Sequence, residues 1–236
     1  MFTIPNIITL LNAFFGTLAL YSVLSGQTAW LPLLLGISLF ADFADGLVAR
    51  LLKQSSPIGK ELDSLADVIS FGAVPGAIFY LLLCKTIGIE GLVFEQPQTY
   101  LPALGFMITV FSALRLAKFN TDTRQTENFI GLNTPANTIF ALGLLLTVEN
   151  NSFGLVDLLL NLPLLLILIS LLSYLLISEI PIISFKFKKF AWKGNEFRLI
   201  FLMLAGALLI ALPIGLALMS CILLYVLSSL FLMLKR

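Results

Sequence analysis

Apolar residues dominate the chain in stretches of about 20, each bounded by a short polar segment. An α-helix needs about 20 apolar residues to cross a bilayer, so each stretch predicts a membrane span. The first is interpreted as a retained span, since no cleavable signal is evident. Pro213 separates the last two stretches, because proline interrupts helix hydrogen bonding. The pattern predicts eight spans, at about residues 7–25, 30–52, 64–86, 99–119, 134–149, 156–178, 197–212 and 214–234.

The composition supports an all-α integral membrane protein that crosses the bilayer several times. Of 236 residues, 59% are hydrophobic and 11% are charged, against about a quarter charged in soluble domains. The absence of histidine excludes histidine-based acid–base chemistry and His-ligated zinc. Cys84 and Cys221 lie in apolar runs, which favours buried thiols over a disulfide or metal site. No nucleic acid is expected as a partner.

The basic residues predict how the chain is oriented in the membrane. All but Lys85 of the 14 lysines and arginines fall in connections on one side of the eight spans or at the C-terminus. Such residues concentrate on the cytoplasmic side. We therefore predict that both termini are cytoplasmic. The basic and aromatic run at 185–193 is typical of an anchor at the surface of an anionic membrane.

Four aspartates interrupt the apolar pattern around the second and third spans. Asp42 and Asp45 are three residues apart, and Asp63 and Asp67 are four apart, so each pair shares one helix face. A short turn at about residues 55–59 should let the two pairs face each other at the cytoplasmic membrane boundary. Charged groups at membrane depth are costly, so this cluster is the expected functional site.

The chemistry of an all-carboxylate cluster leaves three possibilities. Hard oxygen ligands suit Mg²⁺ or Mn²⁺, which usually hold substrate phosphates as well. A cation- or proton-coupled transporter would also place carboxylates in the membrane. In the third possibility, Arg50 and Lys60 each form a structural ion pair with one aspartate, but these two cations leave two of the four negative charges unbalanced.

The region from Asp42 to Asp67 resembles the motif of the CDP-alcohol phosphatidyltransferases, D-x2-D-G-x2-A-R-x8-G-x3-D-x3-D. All eight fixed positions match: Asp42, Asp45, Gly46, Ala49, Arg50, Gly59, Asp63 and Asp67. The resemblance implies a six-helix core, usually dimeric, which we place at residues 1–180. Residues 181–236 would then supply the basic interfacial segment and two further spans.

The resemblance also implies roles for individual residues. The four aspartates would hold one or two divalent ions, and Asp67 would be the general base for the acceptor hydroxyl, whose attack expels CMP. The nucleotide part of the substrate would contact Asp42, Gly46, Ala49, Arg50 and Gly59. Asn6 and Thr9, at the mouth of the first span, are further candidates for this contact.

Three other segments resemble the phosphatidylserine synthase branch of that family. They are D-S-x-x-D with S-F-G-x-x-P at 63–75, R-L-A-R-F-N at 115–120, and F-x-G-L-P-x-P at 129–135, with Lys118 and Asn133 as departures. The branch implies transfer of the phosphatidyl group from CDP-diacylglycerol to L-serine. Arg115, Lys118 and Asn120 are candidates for binding the serine carboxylate or a lipid phosphate.

Other functions stay open at this point. Another acceptor, such as glycerol 3-phosphate or an inositol phosphate, would keep the same mechanism. A prenyl-diphosphate transferase is disfavoured because its usual D-D-x-x-D or N-D-x-x-D runs are absent. A transporter is disfavoured because the cluster lies at the membrane edge and no repeated half is evident.

Overall fold

The computed structural model describes residues 2–91, 96–122, 129–182 and 195–234, and these residues are almost entirely helical. The α-helices are α1 (Ile4–Leu24), α2 (Leu31–Leu51), α3 (Pro57–Asp67), α4 (Val74–Ile87), α5 (Met107–Thr121), α6 (Thr134–Glu149), α7 (Val156–Leu159), α8 (Leu162–Ile177), α9 (Glu196–Ala211) and α10 (Ile214–Leu234). Short 3₁₀ segments lie at Thr28–Trp30, Pro97–Phe106 and Ser152–Gly154, and a π-helical segment lies at Val68–Ala73.

Five helical stretches in the described part of the chain are long and apolar enough to cross a membrane: Ile4–Leu24, Thr28–Leu51, Pro57–Ile87, Thr99–Thr121 and Ile214–Met233. Large apolar side chains cover their outward faces, which suits contact with lipid tails. The prediction of an all-α membrane protein is confirmed. Since α6 and α8 are apolar but only 16 residues long, the count of eight spans stays a prediction.

The third span differs from its predicted bounds and contains the centre of the core. It is one helical rod, Pro57–Ile87, in which the π-helical segment joins α3 to α4. α4 is largely buried, and it packs against α1, α5, α6 and α8. The rod begins earlier than predicted because Ser56 caps it, accepting a hydrogen bond from the Gly59 amide at 3.1 Å. Gly59 therefore lies in the first helical turn, not in the predicted connecting turn.

The sixth predicted span, 156–178, is also wrong at its start. The chain forms only a four-residue helix, α7, before the helix restarts as α8. The Asn161 side chain accepts a hydrogen bond from the Leu164 amide at 3.1 Å and so caps the new helix. The apolar pattern continues across this break, so periodicity could not reveal it.

A short pair of strands closes the bundle beside α8. β1 (Phe129–Ile130) pairs antiparallel with β2 (Pro181–Ile182), although the sequence analysis predicts no strand. Gly131 follows β1 with a φ of +75°, and a Cβ there would lie 2.8 Å from the Leu176 carbonyl oxygen. Glycine is required because this turn is left-handed and passes against the end of α8.

The last span packs directly onto the bundle. A Cβ on Gly143 of α6 would lie 2.7 Å from the Gly215 carbonyl oxygen of α10, so the two backbones approach closely. The predicted break at Pro213 is confirmed, because α9 ends at Ala211 and α10 begins at Ile214. The predicted anchor at 185–193 lies outside the described residues. The domain boundary at residue 180 stays a prediction.

Candidate active site

Three of the four motif aspartates converge where α2 meets α3. Asp42 projects from α2, and Asp63 and Asp67 project from successive turns of α3. One carboxylate oxygen from each lies within 4.8 Å of the others. The prediction that the two carboxylate pairs face each other is confirmed for Asp42, Asp63 and Asp67.

These carboxylates fit a divalent cation better than a set of structural ion pairs. Among the described residues, no lysine or arginine nitrogen lies within 4 Å of these three carboxylates. The ion pairs in the described part of the chain are Lys85–Glu149 and Lys118–Glu179, which involve none of the three. The Asp63 Oδ1 atom is buried and has no hydrogen-bond partner among the residues that the structure describes. An unpaired buried carboxylate is costly, whereas an ion bound by three oxygens removes that cost.

Asp45 is not part of this group of three. Its Oδ2 atom accepts a hydrogen bond from the Thr9 hydroxyl of α1 at 2.5 Å, and its side chain is buried. The predicted ligand set of four aspartates therefore appears as three converging carboxylates with Asp45 held beside them by α1. Its role as a metal ligand stays a prediction.

Asn12 is a polar residue of the site that the sequence analysis missed. Its Nδ2 atom donates to Asp67 Oδ1 at 3.4 Å, and its Oδ1 atom accepts from the Ser38 hydroxyl at 2.5 Å. A signal was present in the sequence, since Asn6, Thr9 and Asn12 recur every three residues along the first apolar stretch. This spacing places all three near one face of α1.

A cleft of about 240 Å³ opens beside Asp45 and Asp63, between α1, α2 and α3. It contains six of the predicted nucleotide-contacting residues: Asn6, Thr9, Gly46, Ala49, Arg50 and Gly59. Asp42, the seventh, lies in the carboxylate group and not in the cleft lining. A Cβ on Gly46 would meet nothing within 4 Å, so its backbone borders open space. The cleft also contains Lys60, which supplies a second cation beside Arg50.

The three predicted acceptor-binding residues do not share one pocket. Arg115 is buried, its Nε atom lacks a hydrogen-bond partner within the described ranges, and its guanidinium carbon lies 5.9 Å from the centroid of the Phe119 ring. Arg115 and Lys118 both line a small cavity, but the Lys118 ammonium is paired with the Glu179 carboxylate at 2.8 Å. Asn120 does not line that cavity, and its Nδ2 atom donates to the Ser64 hydroxyl at 2.8 Å.

Comparison with known proteins agrees with this geometry. The family model for CDP-alcohol phosphatidyltransferase matches residues 2–175. The chain belongs to the CDP-alcohol phosphatidyltransferase family. The predicted family membership, and with it an enzyme of this class, is therefore confirmed.

Several relatives carry the name CDP-diacylglycerol–serine O-phosphatidyltransferase. One from Helicobacter pylori (strain ATCC 700392 / 26695) is 32% identical over 207 residues, covering 87% of this chain and 81% of the relative. One from Bacillus subtilis (strain 168) is 34% identical over 184 residues, covering 78% and 91%. One from Saccharomyces cerevisiae (strain ATCC 204508 / S288c) is 35% identical over 159 residues, covering 58% and 51%.

The match to the family ends before the last two helices, α9 and α10, which contact each other through a pair of aromatic rings. Tyr225 of α10 is buried. Its ring contacts that of Phe201 in α9, with centroids 6.0 Å apart. The two C-terminal helices therefore pack against each other, and α10 also packs against α6.

Proposed function

We propose that this enzyme transfers the phosphatidyl group of CDP-diacylglycerol to L-serine, giving phosphatidylserine and CMP. A bond forms between the serine hydroxyl oxygen and the β-phosphorus of the CDP group, and the bond from that phosphorus to the CMP oxygen breaks. The serine hydroxyl loses its proton. The observation that carries the proposal is the convergence of Asp42, Asp63 and Asp67 beside an open cleft, together with the names of the relatives.

The carboxylates of Asp42, Asp63 and Asp67, with Asp45 beside them, would hold Mg²⁺ or Mn²⁺. Such ions neutralise diphosphate charge and favour in-line displacement at phosphorus. Around the cleft, Arg50 and Lys60 attract the same anionic group. Gly46 leaves room for the nucleotide to approach the backbone of α2.

Asp67 is the general base in this mechanism. It accepts the proton of the serine hydroxyl as the oxygen attacks, and it must lie within one hydrogen bond of that hydroxyl. Its position at the end of α3, facing Asp42 and Asn12, supports this assignment. Burial of the Asp67 carboxylate favours this role as well, because water then competes less with the serine hydroxyl for a hydrogen bond to it.

Arg115 is the best candidate for binding the serine carboxylate. Among the residues that the structure describes, no carboxylate forms an ion pair with Arg115 and its Nε atom has no hydrogen-bond partner. Burying a guanidinium in this way is costly and leaves a donor for an anionic ligand. Its helix, α5, packs against the π-helical segment that directly follows Asp67, which supports a position near the proposed base. Lys118 and Asn120 already have partners in Glu179 and Ser64, so they would act on the acceptor only after exchanging them.

The proposal includes eight spans, cytoplasmic termini and a site that opens toward the cytoplasm, where CDP-linked substrates and serine are found. The distribution of basic residues supports this orientation. Homodimerisation is proposed from the family resemblance, and CDP-diacylglycerol would enter from the surrounding lipid.

The test is CMP release by the purified protein with CDP-diacylglycerol and Mn²⁺ or Mg²⁺. L-serine, glycerol 3-phosphate and inositol phosphates are supplied in parallel. We expect release with serine, loss of release in Asp67→Asn, and near-wild-type release in Asp157→Asn, a control at an exposed acid of α7. Release with another acceptor would contradict the serine assignment. Full activity in Asp67→Asn would refute the base.

A further inference from the structure

We infer that Asn12 of α1 is a positioning residue that fixes the orientation of the Asp67 carboxylate. This rests on the proposed function, because it assigns Asp67 a role that depends on orientation. Asn12 lies outside the aspartate motif, on a different helix. Nothing in the motif spacing requires it.

The contact between the two residues is direct and buried. Asn12 is fully buried, and its Nδ2 atom donates to Asp67 Oδ1 at 3.4 Å. A hydrogen bond of this length is weak in isolation, but a buried amide has no water to replace it. The amide therefore favours one rotamer of Asp67.

Ser38 of α2 determines which way the Asn12 amide faces. The Ser38 hydroxyl, also fully buried, donates to Asn12 Oδ1 at 2.5 Å. Since this oxygen accepts from Ser38, the NH₂ group must face the opposite way, toward Asp67. Ser38 thus acts on the carboxylate through Asn12.

The backbone of Asn12 is connected to the helix that carries Asp67. The Ser70 hydroxyl, three residues after Asp67 in the π-helical segment, donates to the Asn12 carbonyl oxygen at 3.1 Å. The Asn12 side chain and main chain therefore contact the same helical rod at Asp67 and about one turn beyond it. A π-helical segment is unusual and frequently accompanies a functional site.

A residue that only packs α1 against its neighbours would give different behaviour on substitution. Loss of packing lowers the thermal stability, and filling the space again restores it. Loss of orientation lowers kcat and weakens metal binding, and filling the space with an apolar group restores neither. Asn12→Leu separates the two cases, since leucine has nearly the shape of asparagine but no amide.

The experiment compares Asn12→Ala, Asn12→Leu, Ser38→Ala and the double variant Asn12→Ala/Ser38→Ala in detergent. Three quantities are measured for each: kcat and KM for CMP release, and the Mn²⁺ concentration that half-saturates the rise in unfolding temperature. The control is Ser22→Ala, which removes a buried hydroxyl at the far end of α1, where it donates to the Gln27 carbonyl. The Mn²⁺ titration needs no acceptor, so it tests Asn12 even if serine is not the substrate.

We expect both Asn12 variants to lose about 10–100-fold in kcat, with KM for CDP-diacylglycerol changed less than about twofold. The half-saturating Mn²⁺ concentration should rise in both. Ser38→Ala should lose about 2–10-fold, and the double variant no more than Asn12→Ala, because Ser38 acts through Asn12. Wild-type kcat and Mn²⁺ response in Asn12→Leu, or multiplicative losses in the double variant, would overturn the inference.

Discussion

Gly16→Ala should destabilise the protein through a clash that the surrounding helix cannot relieve. A Cβ on Gly16 of α1 would lie 2.9 Å from the Ser70 Cα atom and 2.8 Å from its Cβ atom. Carbon atoms normally rest about 3.5–4.0 Å apart, so the gap is short by at least about 0.6 Å. Because one of the clashing atoms belongs to the backbone, rotating the Ser70 side chain does not remove the clash.

The loss of folding stability caused by the clash is estimated by comparing Gly16 with a glycine in open surroundings. Overpacking of this kind costs about 1–3 kcal/mol, while replacing a mid-helix glycine with alanine gains about 0.5–1 kcal/mol. Gly36→Ala in α2 is the matched control, since a Cβ there would meet nothing within 4 Å. The difference between the two variants isolates the clash, and we expect Gly16→Ala to be less stable than Gly36→Ala by about 1–3 kcal/mol.

The same substitution should lower activity more than stability alone explains. Separating α1 from the π-helical segment lengthens the Ser70 hydrogen bond to Asn12 and moves Asn12 away from Asp67. A displacement near 1 Å at a reacting group costs up to about 100-fold in rate. Thermal unfolding and CMP release are measured for both variants in the same detergent. If Gly16→Ala matches Gly36→Ala in both measurements, the close contact between α1 and this segment is refuted.

Three further outcomes are expected. Chelation with EDTA should reduce CMP release to background, and Mg²⁺ or Mn²⁺ should restore it; unchanged release after chelation would contradict the carboxylate site. Thr9→Val should lower kcat/KM for CDP-diacylglycerol about tenfold or more, because the charged Asp45 carboxylate loses the hydrogen bond that it accepts from Thr9. Initial-rate measurements test this, and a wild-type kcat/KM would contradict it. Gly143→Ala should lower the unfolding temperature, because the new Cβ would meet the Gly215 backbone. Gly206→Ala is the control and should not lower it, because a Cβ there would lie in open space. Equal unfolding temperatures for the two variants would argue against close contact between α6 and α10.

The sequence by itself determined where most helices run and which acids matter. Apolar stretches locate α1, α2, α6, α9 and α10 within a few residues, because spanning a bilayer requires a local, uninterrupted run of apolar side chains. The intervals from Asp42 to Asp45 and from Asp63 to Asp67 determine that each pair shares a helix face, since helical periodicity is local too.

Only the tertiary structure decided how those faces meet. Spacing within a helix fixes neither the distance nor the rotation between two helices, so it could not separate Asp45, held by Thr9, from the three converging carboxylates. Likewise, the hydrogen bonds of Asn12 join residues 26, 55 and 58 positions apart. Such contacts depend on packing between distant parts of the chain, and no local pattern encodes them.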